Sequence, residues 1–341
     1  MRKIKYENLF TLRKDGRYMG FWHDRKGQRH AIYDRDAERL YKRIEEKETV
    51  TPTMFADVAE AWLCEHSAEV GYKTAESYAA PVRRLTAAFS DYRIGEVTSA
   101  EIKAVLQRLA AQGYSRRSVQ LHRDIVNMIC NYAIIHGELS QNPCAAVKMP
   151  RNLTTTKRSM PSDAALEAVK ASVDVDFSLF ALTCLYTGLR RGEALALRYE
   201  DIDRANNLLR VNKALEYIGN QPQIKPPKTE AGKRTVVIPD VLMKILPSGH
   251  GYVFSDDGEH PLTKTQYRKR WLKYCKAIGH EITAHQLRHG YATLLYEAGV
   301  EAKDAQELLG HANISVTLDV YTDIRQSRRS ATAKKINGYL K

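Results

Sequence analysis

The stretch from Ile282 to Gly299, ITAHQLRHGYATLLYEAG, places His285, Arg288 and His289 within five positions at the front of an amphipathic helical pattern. A guanidinium offers planar, fixed donors to an oxyanion, and an imidazole exchanges protons near neutral pH. His285 and Arg288, at i, i+3 spacing, are expected to point the same way, with His289 directed elsewhere in a structural role. Three further stretches share the theme. In YTGLRRGEALALRYEDID an apolar helix ends near Tyr186, Thr187 and Gly188, and Arg190 and Glu193 follow at i, i+3, so the carboxylate can brace the guanidinium. KPPKTEAGKRTVVIP puts Lys228 just before a turn in a β-ribbon. LLGHANISVTLDVYTDI sets His311 after a glycine able to end a helix, with Tyr321 ten residues on. Each piece alone has an ordinary structural explanation; their order and spacing together point to chemistry on an anionic substrate.

The bulk of the chain suits such a partner. Its 341 residues can form two domains or more, each with its own core. Lys and Arg number 53 against 40 Asp and Glu, a net charge of +13 that points to a polyanion, most simply nucleic acid. No apolar run is long enough to span a bilayer and no secretion signal stands at the N-terminus, so a cytoplasmic protein without a membrane partner is expected. The five scattered cysteines, Cys64, Cys130, Cys144, Cys184 and Cys275, form no C-x-x-C pair and are read as reduced core thiols.

Several elements must position the four motifs. Residues 1–50 alternate short aromatic or β-branched runs with turn signals at Asp15-Gly16 and Lys26-Gly27, which predicts a three-stranded sheet. Ala37, Leu40, Tyr41 and Ile44 then mark a helix packed on it. Residues 53–148 are helical throughout. Phe55, Val58, Trp62 and Leu63 form one stripe, and Ile102, Val105, Leu106 and Leu109 another, opened by the capping box Thr98-x-x-Glu101 and closed by Gly113. A further helix runs from about Ser115 to Gly137. Pro81 is expected to interrupt the helix around Tyr78 to Phe89. These stripes are core, which leaves Lys73, Arg83, Arg84, Arg116, Arg117 and Arg123 as outward cations suited to DNA. Residues 149–160, polar and basic, read as a linker. Residues 161–341 mix helices with the strand-like runs LLRVNKALEYI and RTVVIP. The fold class is therefore multidomain and mainly α, with a small N-terminal three-stranded β-sheet plus helix, an all-α middle domain and a mixed α+β C-terminal domain.

The order Arg, Lys, His-x-x-Arg, Gly-His, Tyr resembles the tyrosine recombinase (phage integrase) family. TGLRRGEALAL, HQLRHGYATLL and LLGHANISVTLDVY are similar to its three signature boxes. The helical middle resembles its core-site DNA-binding domain, and residues 1–50 resemble the arm-site-binding domain of integrases from conjugative transposons and temperate phages. The resemblance implies that Arg190 and Arg288 hold the non-bridging oxygens of a scissile phosphate and that His311 adds a hydrogen bond. Tyr321 would be the nucleophile, His285 would exchange its proton, and Lys228 would protonate the leaving 5′ oxygen. Arg191 would contact the DNA backbone. The implied product is a 3′-phosphotyrosine link, resealed without ATP, metal or cofactor. Asp201 and Asp203 in YEDID read as a turn rather than a metal site. Tyr199 stands where many relatives carry Trp. The implied partners are double-stranded DNA at core and arm attachment sites, a homotetramer on DNA into which the basic tail after Tyr321 could dock, and excisionase and DNA-bending accessory proteins. Two rivals share these residues or part of them: a type IB topoisomerase-like relaxing enzyme and a non-catalytic DNA-binding protein. A chromosome-dimer resolvase would lack the N-terminal sheet, so the integrase of a mobile element is preferred.

Overall fold

A computed structural model describes residues 6–23, 29–48, 53–155, 160–227, 230–327 and 336–339. The chain divides into two compact units, Met1–Lys157 and Arg158–Lys341.

The first unit opens with the antiparallel strands β1 (Thr11–Leu12), β2 (Tyr18–His23) and β3 (Arg29–Asp34), paired in that order with Gly20 opposite Ile32. Asp15-Gly16 turns the chain between β1 and β2: Gly16 has φ +76°, and the Asp15 carboxylate accepts from the Arg17 amide and guanidinium. The Lys26-Gly27 turn lies outside the described residues. Helix α1 (Ala37–Glu48) buries Ala37, Leu40 and Ile44, and the Ile44 side chain packs closely over Gly20, where a β-carbon would require it to shift.

Four helices follow: α2 (Phe55–Glu69), α3 (Tyr72–Ala88), α4 (Ser99–Ala111) and α5 (Arg116–Ile135). Thr98 and Glu101 form the expected capping box, and Ser115 caps α5. Phe55, Leu85, Leu106, Ile125 and Ile129 are fully buried, each contributing about 1.5–3 kcal/mol of transfer energy. Helix α3 corrects the expectation at Pro81, because it runs through the proline unbroken. The missing amide costs one helical hydrogen bond, and burial of Pro81 with Val82 and Leu85 in the common core offsets it. The cysteines are all free, but Cys64 is exposed on α2, so only the other four are core thiols.

The second unit contains α6 (Asp163–Lys170), α7 (Ser178–Thr187), α8 (Arg191–Leu195), strands β4 (Ile202–Asp203), β5 (Leu208–Val211), β6 (Ala214–Ile218), β7 (Gln221–Lys225) and β8 (Arg234–Val237), then α9 (Asp240–Met243), α10 (Lys264–Ile278), α11 (Ala284–Glu297), α12 (Ala302–Leu309) and α13 (Ile314–Ser327). The run LLRVNKALEYI is divided between two sheets. β5 pairs with β4 and β8, while β6 pairs only with β7. The break falls at Asn212-Lys213, where Lys213 reaches the Asp201 carboxylate at 2.6 Å. Asp203 accepts from the amides of Ala205 and Asn206, so the two aspartates of YEDID serve a salt bridge and a turn. α11 packs against α7 over a core that includes Phe180, Leu185, Tyr274 and Leu287. It also packs against α13 through Tyr291, Leu295, Tyr321 and Ile324. Among the described residues no helix is long and apolar enough to cross a membrane.

Candidate active site

The site is organised around the C-terminal end of α12. The last carbonyls of any helix lack intrahelical donors and carry the negative end of its dipole. Here three consecutive ones accept from three different arginines. Leu308 O takes Arg234 Nε at 2.8 Å, Leu309 O takes Arg288 Nη2, and Gly310 O takes Arg190 Nη2 at 2.9 Å. Residues distant in sequence are thereby gathered on one turn, and the partial negative charge of the helix end lowers the cost of placing like charges together.

Each guanidinium is braced differently. Arg190 is the N-cap of α8: its amide donates to Glu193 Oε2 and its Nη1 to Glu193 Oε1 at 2.7 Å, as the i, i+3 spacing predicted. Its side chain stays 45% exposed, available to a ligand. Arg288 is 4% exposed and donates to two carbonyls, Leu309 O and Gly188 O, the latter at 2.7 Å at the C-terminus of α7. Burial and the neighbouring Arg190 lower its pKa from 12.5 to about 9, so it is still a cation at neutral pH. Among the described residues Glu193 is the one carboxylate bonded to this cluster. Burial alone would raise its pKa, but the hydrogen bond from Arg234 and the charges of Arg234 and Arg190 outweigh that and hold it below its ordinary value. Three guanidiniums against one carboxylate leave a net charge of +2, a ready seat for a phosphate.

His311 follows Gly310, which ends α12 in the left-handed region at φ 64° as the sequence suggested. Its Nδ1 lies 2.9 Å from Thr317 Oγ1. Burial, Arg288 and Arg190 together depress its pKa to about 4, so the ring is neutral at physiological pH.

At the front of α11 the geometry corrects the expected facing of the histidines. Arg288 turns into the core, whereas His285 is exposed and contacts His289, with Nε2 atoms 3.1 Å apart and ring centroids 4.5 Å apart at 80°. Residues at i, i+4 are separated by about 40° around a helix and those at i, i+3 by about 60°. His289 therefore belongs to the neighbourhood of the site rather than to a separate face.

Tyr321 lies on α13, 7% exposed, with its hydroxyl donating to Val300 O at 3.3 Å and its ring edge-on to Tyr296. Burial raises its pKa. The expected proton exchange with His285 is thus not set up in this conformation: the hydroxyl is engaged with Val300 O, and the residue belongs to the buried cluster that includes Leu295 and Ala305. Lys228 lies outside the described residues. The turn that follows it, Glu230–Gly232, runs against Gly310, where a β-carbon would approach Ala231 O to 2.9 Å.

The remaining basic candidates separate into two kinds. Lys73, Arg83, Arg84, Arg116 and Arg117 are exposed on α3 and α5, with the Arg84 guanidinium over the Tyr114 ring. Arg123 is half-buried and its Nε donates to Val147 O at 2.8 Å, so it ties down the chain after α5 instead of pointing outward. Arg191 is exposed beside the Tyr267 ring. Sequence reasoning missed Arg234 and Thr317. The available signal was faint: a basic residue opening the apolar strand RTVVIP, and a threonine four positions before Tyr321.

Paired guanidiniums, a neutral imidazole and a tyrosine-bearing helix stand together on a multidomain, mainly helical scaffold. Residues 161–328 match the model of the phage integrase family, and residues 55–149 match that of the phage integrase central domain. The chain belongs to the phage integrase family, the tyrosine recombinases that transfer DNA strands. It is 28% identical over 283 residues to a "Tyrosine recombinase XerC-like" protein of Caldanaerobacter subterraneus subsp. tengcongensis, covering 72% of each chain. It is 27% identical over 270 residues to the ICEBs1 integrase of Bacillus subtilis (strain 168), again covering 72% of each. Its fold is similar to that of the Tn1549 transposon integrase in complex with a circular intermediate DNA, with TM-score 0.65, 20% identity and coverage of 79% of this chain and 95% of that one. It is likewise similar to lambda integrase in a tetramer bound to a Holliday junction, with TM-score 0.59, 20% identity and coverage of 92% and 97%.

Proposed function

We propose that this chain integrates and excises a mobile element or prophage by site-specific recombination, with Tyr321 as nucleophile. The tyrosine oxygen attacks the scissile phosphorus, a 3′-phosphotyrosine bond forms, and the bond to the 5′ oxygen breaks. A partner strand's 5′ hydroxyl then attacks the phosphotyrosine and restores the tyrosine, passing through a Holliday junction. Because one phosphoester replaces another, no ATP is needed. The observation that carries this reading is the pair Arg190 and Arg288, anchored on adjacent carbonyls with a net positive charge around them. They would hold the non-bridging oxygens, with the neutral His311 as a further donor and Glu193 bracing Arg190. His285 would take the Tyr321 proton once the hydroxyl leaves Val300 O, and Lys228 would protonate the leaving oxygen.

The exposed cations Lys73, Arg83, Arg84, Arg116, Arg117 and Arg191 would contact the DNA backbone at core sites. The N-terminal sheet, with Arg29 over Phe21 and Arg13 over Tyr33, would contact arm sites. A homotetramer on DNA, aided by excisionase and DNA-bending proteins, completes the reading. The lambda integrase tetramer on a Holliday junction supports the assembly by likeness.

The test is covalent trapping on a nicked suicide substrate carrying the element's own junction, run in chelator with wild type and Tyr321→Phe. A slow-migrating adduct with wild type alone is the expected result. An adduct with the variant would remove Tyr321 from the role, and relaxation of plasmid lacking any recombination site would favour a topoisomerase.

A further inference from the structure

His311 is tied to the last turn of α12 from both sides of its peptide. Its amide donates to Gln306 O at 3.1 Å, and Gln306 Nε2 donates back to His311 O at 2.9 Å. With the backbone fixed at both ends, the ring's remaining freedom lies in its torsions and in which nitrogen carries the proton. Nδ1 is 2.9 Å from the hydroxyl of Thr317, which has no exposed surface.

We propose that Thr317 is a positioning residue that fixes His311 as the Nε2-protonated tautomer, so that the ring offers the scissile phosphate a hydrogen-bond donor and not a lone pair. The proposal rests on the strand-cleavage reading of the site.

The proton bookkeeping follows from burial. A hydroxyl can donate once and accept twice. Among the described residues, the one hydrogen-bond partner of Thr317 Oγ1 is His311 Nδ1. If the hydroxyl accepted from Nδ1–H, its own proton would be buried without a partner, at a cost of about 1–3 kcal/mol. Donation to Nδ1 avoids that cost, and a ring accepting at Nδ1 carries its proton on Nε2. Protonation of both nitrogens is opposed by burial and by the cations that face the ring, Arg288, Arg190 and Arg234, together with His289. The site thus gains a neutral donor where a further full charge would repel the guanidiniums. Phosphate oxygens only accept, so the other tautomer would aim a lone pair at an anion.

Thr317 also shares a helix face with the nucleophile. Thr317, Tyr321 and Ile324 lie at i, i+4 and i+7 of α13, exposed 0%, 7% and 2%. One helix therefore carries both the reacting oxygen and the group that sets the donor, and its register ties the two together.

The first measurement is a long-range nitrogen–proton correlation on histidine-labelled full-length protein, with His311→Asn used for assignment. Wild type and Thr317→Ser should show the Nε2–H form, and Thr317→Val a mixture or the Nδ1–H form. Single-turnover cleavage of the suicide substrate should then fall roughly 10- to 100-fold in Thr317→Val, as expected when a buried hydrogen-bond partner is removed, and recover in Thr317→Ser. In a His311→Ala background, Thr317→Val should cost nothing further. An Nδ1–H ring in wild type overturns the proposal, as does an equal loss from Thr317→Val with and without His311. If wild type shows the Nε2–H ring but no adduct forms on any junction substrate, the strand-cleavage reading has failed and the phosphate-facing role falls with it.

Discussion

Arg234 donates from Nη2 to Glu193 Oε2 across 2.9 Å, and neither side chain exposes more than 5% of its surface. The other Glu193 oxygen holds Arg190, so one buried carboxylate links a buried arginine on β8 to a half-exposed arginine at the start of α8. Because Arg234 also reaches Leu308 O, the same chain of contacts fixes the end of α12 where the other arginines dock. The carboxylate's worth lies in what its loss would strand.

Glu193→Gln leaves Arg234 buried without a counter-charge, and we expect a loss of about 3–5 kcal/mol in denaturant unfolding. Cleavage should fall as well, because Arg190 loses its brace. The sign with pH follows from the lowered pKa of Glu193. Its contribution is complete above the ordinary carboxyl value of 4.5 and is lost as pH falls through the lower folded value. The deficit of the Gln variant should therefore shrink in acid, and a deficit that stays constant from neutral pH to about pH 3 would count against the pairing.

Tyr321→Phe removes a single hydrogen bond, to Val300 O, while the ring keeps its packing on Tyr296 and Leu295. Stability should change by no more than about 1.5 kcal/mol, whereas adduct formation should vanish. Thermal melts alongside the trapping gel would separate the two, and a variant that unfolds would show that the hydroxyl is structural.

His311, with its pKa lowered to about 4, acts on stability in the opposite direction from a histidine paired with an acid. Between its ordinary value of 6.5 and about 4 the unfolded chain binds the proton and the folded ring refuses it, so stability falls as pH drops through that window. Melting temperatures of His311→Asn should decline less over the window than those of wild type. In the same range, cleavage by wild type should show no loss assignable to His311 protonation; a rate limb near pH 6.5 that disappears in His311→Asn would contradict a neutral ring.

What the sequence disclosed and what it hid follow from range. Capping at Thr98, the helix start near Ser115, the Arg190–Glu193 brace and the helix stops at Gly188 and Gly310 depend on residues at most a few positions apart, and they were legible as local patterns. Arg234 was invisible because its partner stands 41 residues away, brought close only when β8 pairs with β5. Thr317 looks like any threonine in a helix until the turn after Gly310 folds His311 back onto it. Pro81 misled because a local rule about the amide was weighed without the core that the proline ring helps to fill.

Gly188 offers a test of how closely the framework behind Arg288 is specified. Its φ of +65° is left-handed, its carbonyl accepts from Arg288 Nη1 at 2.7 Å, and a β-carbon there would strike the Tyr291 ring. Two separate constraints thus demand glycine. The backbone conformation alone would cost an alanine about 1–2 kcal/mol and an asparagine less, since asparagine visits that region more readily. Close approach penalises both residues, and it does so by displacing either Tyr291 or the carbonyl that holds Arg288. We expect Gly188→Asn to be nearly as damaging as Gly188→Ala to cleavage, and Tyr291→Leu to restore part of the activity of Gly188→Ala. Sites in contact should couple in such a double-mutant cycle by roughly 0.5–3 kcal/mol. Strictly additive losses would mean that the Tyr291 ring does not press on this turn.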